Sequence, residues 1–538
     1  MKRIYIMLFC WLGLASCNGF LDTLPGNALS PETFWKTEAD IKLAVTGCYE
    51  GWESGDNIFY RDCGSDNAFS FHVHEGWQVI GNGGLSSTNT GEESFTYETI
   101  NKCNDLLANI DKVEFKDETL KERYRAEVRF LRAYRYFILT TNFGDVPLSL
   151  QTYKDIAESR IPRSPKADVE KFVLDELTAA ASNLPPSYKG DDRGRVTKGA
   201  ALAIKMRLLL YLGRYDEALT EAHAIQALNV YDLFPTYDGL FQLANEGNEE
   251  VILDVQYIEN DYENWIIGAI MPNGDGGWSS IVPIQALVDA YEMKDGLTID
   301  EAKAQSKYDE KHPFVNRDPR LKQTILYAGQ NWEGRVFDPL AKTINVEGND
   351  VTNPDYPYSQ SNASKTAYSL KKYIAPVSQY TDIWNTGINI MVCRYAEVLL
   401  TIAEAKIELN RIDDEVYTSL NAIRHRAGMP DVDRAKYSSQ ASLRELLRRE
   451  RRAELAMEGL RRADIIRWDI AKDVLNGKAY GCREGVVDTS VDNENLRTNL
   501  TGEPFFVEER KFAAHNKYLP ISQSELDLNP SLTQTPGY

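Results

Sequence analysis

"GRVTKGAALAIKMRLLLYLGRYDEALTEAHAIQAL", Gly194–Leu228, decides the fold. Its first half is rich in Ala, Leu, Ile, Met and Lys, which lose little freedom in a helix. The spacing predicts a helix to Leu212, a break at Gly213 and a second helix from about Tyr215 to Leu228. Glycine permits the turn, and the small Ala218 lets the two helices approach.

The "LGRYDEA" junction of this pair resembles the turn of a tetratricopeptide repeat. Helical patterns recur on both sides of it. In "ERYRAEVRFLRAYRYFILTTNFGDVPL", Phe130, Ala133, Tyr134, Phe137 and Ile138 fall on one helical face, and Gly144 and Pro147 end it. "RYAEVLLTIAEAKIELNRIDDEVYTSLNAIRHRAG" reads as helix, polar turn near Asn410–Asp414, helix. In "LRELLRRERRAELAMEGLRRADIIRW", Leu446, Ala453, Met457, Leu460 and Ala463 mark a buried stripe, with Glu445–Arg449 and Glu458–Arg462 as i, i+4 ion pairs. Between the helical blocks lie two loop-rich regions, about 55–95 and 245–390, heavy in Gly, Asn, Ser and Pro. Long irregular stretches of this kind are usually functional. The expected fold is mainly α: a tetratricopeptide-like helical-repeat scaffold with a large loop-rich insertion.

The amino terminus sets the compartment. Lys2 and Arg3 precede an apolar stretch, Ile4–Leu14, which is too short to span a bilayer. Leu14-Ala15-Ser16-Cys17 follows, in the layout of a lipoprotein signal peptide. Residues 1–16 are expected to be removed, leaving 17–538 as one domain anchored through acylated Cys17.

The 538 residues carry a formal net charge of −20, or −22 without Lys2 and Arg3. Such an acidic chain lacks the basic footprint of a nucleic-acid binder and disfavours polyanions. Beyond Cys10 and Cys17, five cysteines remain: Cys48, Cys63, Cys103, Cys393 and Cys482. Five is odd, and no C-x-x-C occurs, so no zinc ribbon or thioredoxin-like site is indicated.

Candidate chemistry is sparse. His72 and His74 in "FHVHEG" would share one side of a strand, but no third ligand is spaced to complete a metal site. "DTSVDNENL", Asp488–Leu496, clusters oxygens that suit a structural Ca2+, yet lacks the mid-loop Gly of an EF-hand. No other cofactor and no metal centre is expected. There is no G-x-S-x-G, Walker loop or H-E-x-x-H. Tryptophans carry more information. Trp35, Trp52 and Trp468 lie in helical segments and are expected in the core. Trp77, Trp265, Trp278, Trp332 and Trp384 lie in loop-like surroundings, where a ring can stay exposed and stack on the C–H face of a sugar. Trp77 and Trp278 are expected to form a platform, with Asp66, Asn67 and Lys372 as hydroxyl partners and Trp265 and Trp332 nearby.

Several strings, in order and over nearly the whole mature chain, are similar to the SusD/RagB family of outer-membrane nutrient-binding lipoproteins of Bacteroidota. They are "CNGFLDTLP", "AEVRFLRAYRYFILTTNFGDVPL", "GRVTKGAALAIKMRLLLYLGRYDEA", "VDAYEMKDG", "NRDPRL", "RYAEVLLTIAEAKIELN", "RRERRAELAMEGLRRADIIRW" and "YLPISQSELDLNPSLTQTPGY". The resemblance implies a glycan-binding face, no catalysis, anchoring at the cell surface, and a SusC-like TonB-dependent transporter as partner. Two positions depart from the family pattern. Asn18-Gly19-Phe20 is less acidic than many surface-export tethers, and Ser522 stands where the family usually has Pro. The sequence also admits peptide capture, which some relatives carry out, and a surface glycoside hydrolase.

Overall fold

The computed structural model describes residues 34–93, 95–360 and 362–538. The signal segment and Cys17 lie outside the described residues. Ten helices make the frame: α1 Glu38–Tyr49, α2 Glu98–Asn109, α3 Glu118–Phe143, α4 Lys166–Asn183, α5 Lys198–Tyr211, α6 Tyr215–Gln226, α7 Tyr395–Glu408, α8 Asp414–Arg426, α9 Gln440–Glu454 and α10 Arg461–Arg467. Each packs on the next along a run from α2 to α7, and α7 packs on both α8 and α9. The 168 residues between α6 and α7 are therefore an insertion between neighbouring repeats.

Helix boundaries follow local chemistry. Thr197 Oγ1 accepts the Ala200 N–H to start α5, and Asp413 Oδ1 accepts the Glu415 N–H to start α8. Gly213 and Asn410, with φ of 68° and 53°, end α5 and α7 in the same way: the next residue, Arg214 or Arg411, donates back to the carbonyl of Leu209 or Lys406 at 2.9 and 2.8 Å.

The predicted continuous helix after residue 440 is broken. α9 stops at Glu454, Met457 and Gly459 take φ of 63° and 73°, and α10 begins at Arg461. A Cβ on Gly459 would come within 2.6 Å of the Ile58 carbonyl, so within the break the chain packs closely against Ile58. The expected i, i+4 pairs do not form. Arg449 bonds Glu292, Arg462 donates to the carbonyls of Gly64 and Asn516, and among the described residues Glu445 has no ion pair.

Glu450, Glu454 and Glu458 instead face inward. Arg394 bonds Glu250 and Glu454 at 2.6 Å each and Glu458 at 2.7 Å. Arg320 bonds Asp318, Glu450 and Glu454; Arg424 bonds Glu450 and Glu292; Arg426 bonds Glu250 and Glu454. Burial raises the Glu454 pKa, but Arg426, Arg394 and Arg320 outweigh it and hold the carboxyl well below its usual range. This buried lattice ties α8 and α9 to the insertion.

Short antiparallel ribbons organise the insertion. Strand β1, Ala68–Ser70, pairs with β3, Ile281–Pro283, joining the two loop-rich regions. Strand β2, Val251–Val255, pairs with β4, Ile390–Arg394, so the insertion opens and closes on one ribbon. Strands β5, Gly477–Val487, and β6, Thr498–Arg510, form a long hairpin whose tip holds the candidate calcium loop. There Asp488 accepts the N–H and Oγ–H of Ser490, and Asn493 accepts the Asn495 N–H. The five cysteines are buried and free. No described helix is long and apolar enough to cross a membrane.

Candidate functional site

The two loop-rich regions meet around a short apolar helix, Ile266–Ile270, whose residues are all buried. Its backbone holds a loop on either side. The Trp278 N–H donates to the Gly268 carbonyl at 2.9 Å, and the Gly268 N–H donates to the Ile383 carbonyl at 2.9 Å. Asn264 and Thr386 exchange backbone bonds at 2.7 and 3.2 Å. Trp384 lies against Gly268, where a Cβ would sit 2.3 Å from the ring. Any larger residue at 268 would displace that ring.

Three tryptophans thus surround one helix. Trp265 caps its start and is 37% exposed, while Trp278 is 41% exposed. The Trp278 and Trp384 rings lie 4.5 Å apart, tilted by 54°. A His72 ring nitrogen lies 3.4 Å from the Trp278 carbonyl. Rings held this rigidly lose little entropy when they accept an apolar ligand face.

The structure places the other predicted site residues inside the packing, which corrects the expected Trp77 platform. Trp77 is 3% exposed and stacks on Tyr60 at 5.6 Å, with Tyr60 in turn 6.5 Å from Trp265. It is the foot of an aromatic column rather than its outer surface. Asp66 accepts two bonds from Arg461, and Arg452 donates to Asn67 Oδ1 and the Asp66 carbonyl. Burial raises the Asp66 pKa, but Arg452 and Arg461 outweigh it and bring it down to about 2. Lys372 is buried and fully committed to Glu458, the Ala456 carbonyl and Tyr237. Trp332 is also buried, and its Nε1 donates to Asp275 at 2.7 Å, fixing the turn that leads into Trp278. Asp66, Asn67 and Lys372 therefore serve the scaffold, and Trp332 positions a loop.

Trp384 completes the cluster. Its signal in the sequence was the run of Asn, Asp and Gly around "DIWNTG", the same setting that marks Trp278. His72 and His74 stand with ring centroids 5.4 Å apart, and among the described residues no group of three or more His, Cys, Asp or Glu could hold a metal ion.

Known proteins match this chain over most of its length. The family model described as "SusD family" matches residues 249–538, and one described as "Starch-binding associating with outer membrane" matches residues 19–210. The chain belongs to the SusD family. A SusD-like protein of Formosa agariphila is 25% identical over 99% of this chain and 98% of its own. The starch-binding protein SusD of Bacteroides thetaiotaomicron is 24% identical over 80% of this chain and 75% of its own. The crystal structure of a SusD-like carbohydrate-binding protein from Bacteroides fragilis superposes with a TM-score of 0.81 at 31% identity, covering 93% of this chain and all of that one.

Proposed function

We propose that this protein is a non-enzymatic, cell-surface glycan-binding lipoprotein. It captures oligosaccharides and delivers them to a SusC-like TonB-dependent outer-membrane transporter, and acylated Cys17 anchors it. One observation carries the binding role: Trp265, Trp278 and Trp384 are fixed around one buried helix, and the first two are substantially exposed. The relatives named for starch and carbohydrate binding support it, as does the family description that mentions the outer membrane.

Stacking one sugar face removes on the order of 100 Å² of apolar surface, worth ~2.5 kcal/mol. Two or three contacts give roughly 5–8 kcal/mol gross, from which association costs of about 4 kcal/mol or more are subtracted. The remainder, about 1–4 kcal/mol, is weak binding in the millimolar range or weaker, which suits a protein that passes its ligand on.

A glycan screen on the soluble Cys17→Ala form, followed by product analysis, tests this. The expected result is retention of a polysaccharide without shortening. Shortened products would make the protein a hydrolase, and retention of peptides alone would make it a peptide binder. Co-purification with a large barrel from gently solubilised membranes is expected, and recovery as a lone monomer beside that barrel would contradict the delivery role. Cys17→Ala should release the protein from the membrane. Continued fractionation with the outer membrane in the absence of the transporter would exclude the lipid anchor.

A further inference from the structure

A second cleft, of about 420 Å³, lies between the end of α1, the loop 191–196, strand β2 and Tyr262. Tyr262 is 49% exposed, and its ring stacks on Tyr257 at 5.5 Å and 13°. Tyr257 is fixed at two points: its hydroxyl accepts the Gly55 N–H at 2.7 Å, and its N–H donates to Asn389 Oδ1 at 2.9 Å. Ile258 and Tyr262 exchange backbone bonds at 2.8 and 2.9 Å, closing the turn that presents the outer ring. The platform is therefore preorganised rather than a loose surface side chain.

The polar lining has spare capacity of both kinds. Asp254 receives two long amide bonds, 3.4 Å from Gln256 and 3.3 Å from Asn389, and among the described residues it forms no ion pair. An ionised carboxylate accepts about four hydrogen bonds, and Asp254 also takes one from its own backbone N–H, so about one place is open. The Arg193 guanidinium makes one bond among the described residues, to the Gly247 carbonyl at 3.3 Å. Gln256 packs on Gly194, where a Cβ would meet its amide at 2.0 Å, so Gly194 leaves the room in which that amide sits. Unfilled acceptors opposite unfilled donors, beside an aromatic face, match a group that donates and accepts from one atom. Sugar hydroxyls do this. A purely anionic ligand would meet like charge at Asp254 and at Asp191, which also lines the cleft, and a purely cationic one would meet it at Arg193.

Tyr262 lies three residues before Trp265, on the segment that links the cleft to the tryptophan cluster. We propose that this cleft is a second sugar-binding subsite, built on Tyr262, Asp254, Gln256 and Arg193, that takes the distal unit of a neutral oligosaccharide whose other end occupies the Trp265–Trp278–Trp384 face. This rests on the glycan-binding function proposed above and adds the length and charge class of the ligand.

The test is isothermal titration of the intact protein with neutral gluco-, xylo- and manno-oligosaccharides of graded length. Tyr262→Ala should weaken binding of the long oligomers by about threefold or more and leave the shortest bound members unchanged. Asp254→Asn should act in the same direction, and Tyr262→Phe, which keeps the ring, should bind like the wild type. Trp278→Ala should weaken long and short oligomers alike. A folded Tyr262→Ala protein with wild-type affinity at every length overturns the second subsite while leaving the tryptophan site standing. Equal loss at all lengths overturns it too, because Tyr262 would then belong to the first site. A wild-type protein that binds no member of the panel overturns both proposals for neutral glycans.

Discussion

Beneath α9, Glu450, Glu454 and Glu458 are buried among Arg320, Arg394, Arg424, Arg426 and Lys372. At the loop face, Trp265 and Trp278 remain 37% and 41% exposed. Charge lies inside and large apolar rings lie outside, the reverse of the usual partition. The two regions explain each other. A loop-rich insertion has little regular backbone to hold it, and a multiply bonded ionic lattice fastens its strands and turns to the repeats through fixed directions. Once held, it can display rings at the surface without those rings having to stabilise it.

The largest expected effect breaks the ionic side. Arg394→Ala would leave Glu250, Glu454 and Glu458 short of a shared partner. Removing one member of a buried ion network costs about 3–5 kcal/mol. Urea denaturation should show a loss of this size, and a drop comparable to a surface mutation would mean that water or the remaining cations compensate.

Trp77→Ala should also destabilise by about 3–5 kcal/mol, as truncation of a buried Trp does, with the affinity of the folded protein for glycan unchanged. Loss of affinity without loss of stability would return Trp77 to the ligand face.

A smaller effect follows from Asp66, whose carboxyl has an ordinary pKa of 3.8 and about 2 in the folded protein. A depressed folded pKa contributes stability that is fully present above the unfolded value and is lost as pH falls through about 2, a contribution of about 2 kcal/mol. Acid unfolding of Asp66→Asn should lack this part of the slope, and identical slopes would remove Asp66 from the account. Least affected is Glu445→Ala, because the i, i+4 partner suggested by spacing, Arg449, bonds Glu292 instead. Its thermal midpoint should match the wild type, and a measurable drop would restore the helical pair.

The repeat frame was legible because its signals are local. Gly213 and the polar turn at Asn410 mark helix ends within a few residues, and each helix shows its stripe. The break after Glu454 was not, since apolar residues continue at helical spacing while Met457 and Gly459 turn to positive φ against the remote Ile58. The tryptophans were half legible. Trp77 and Trp278 share the same small, polar, turn-forming neighbours, yet Trp77 is covered by Tyr60 and Trp278 is left open on Trp384, a partner more than a hundred residues away. Composition identifies a loop, but which remote segment closes over it depends on the fold. The pairing of Asp66 and Lys372 is illegible for the same reason, their partners Arg461 and Glu458 being remote in sequence.

The central claim is that the rings around Ile266–Ile270 bind sugar while Trp77 only supports them. Titrating Trp278→Ala and Trp77→Ala with the oligosaccharide retained in the glycan screen, with both proteins shown to be folded, tests it most directly. Trp278→Ala is expected to weaken binding by about threefold or more, and Trp77→Ala is not. A folded Trp278→Ala protein that binds like the wild type would contradict it.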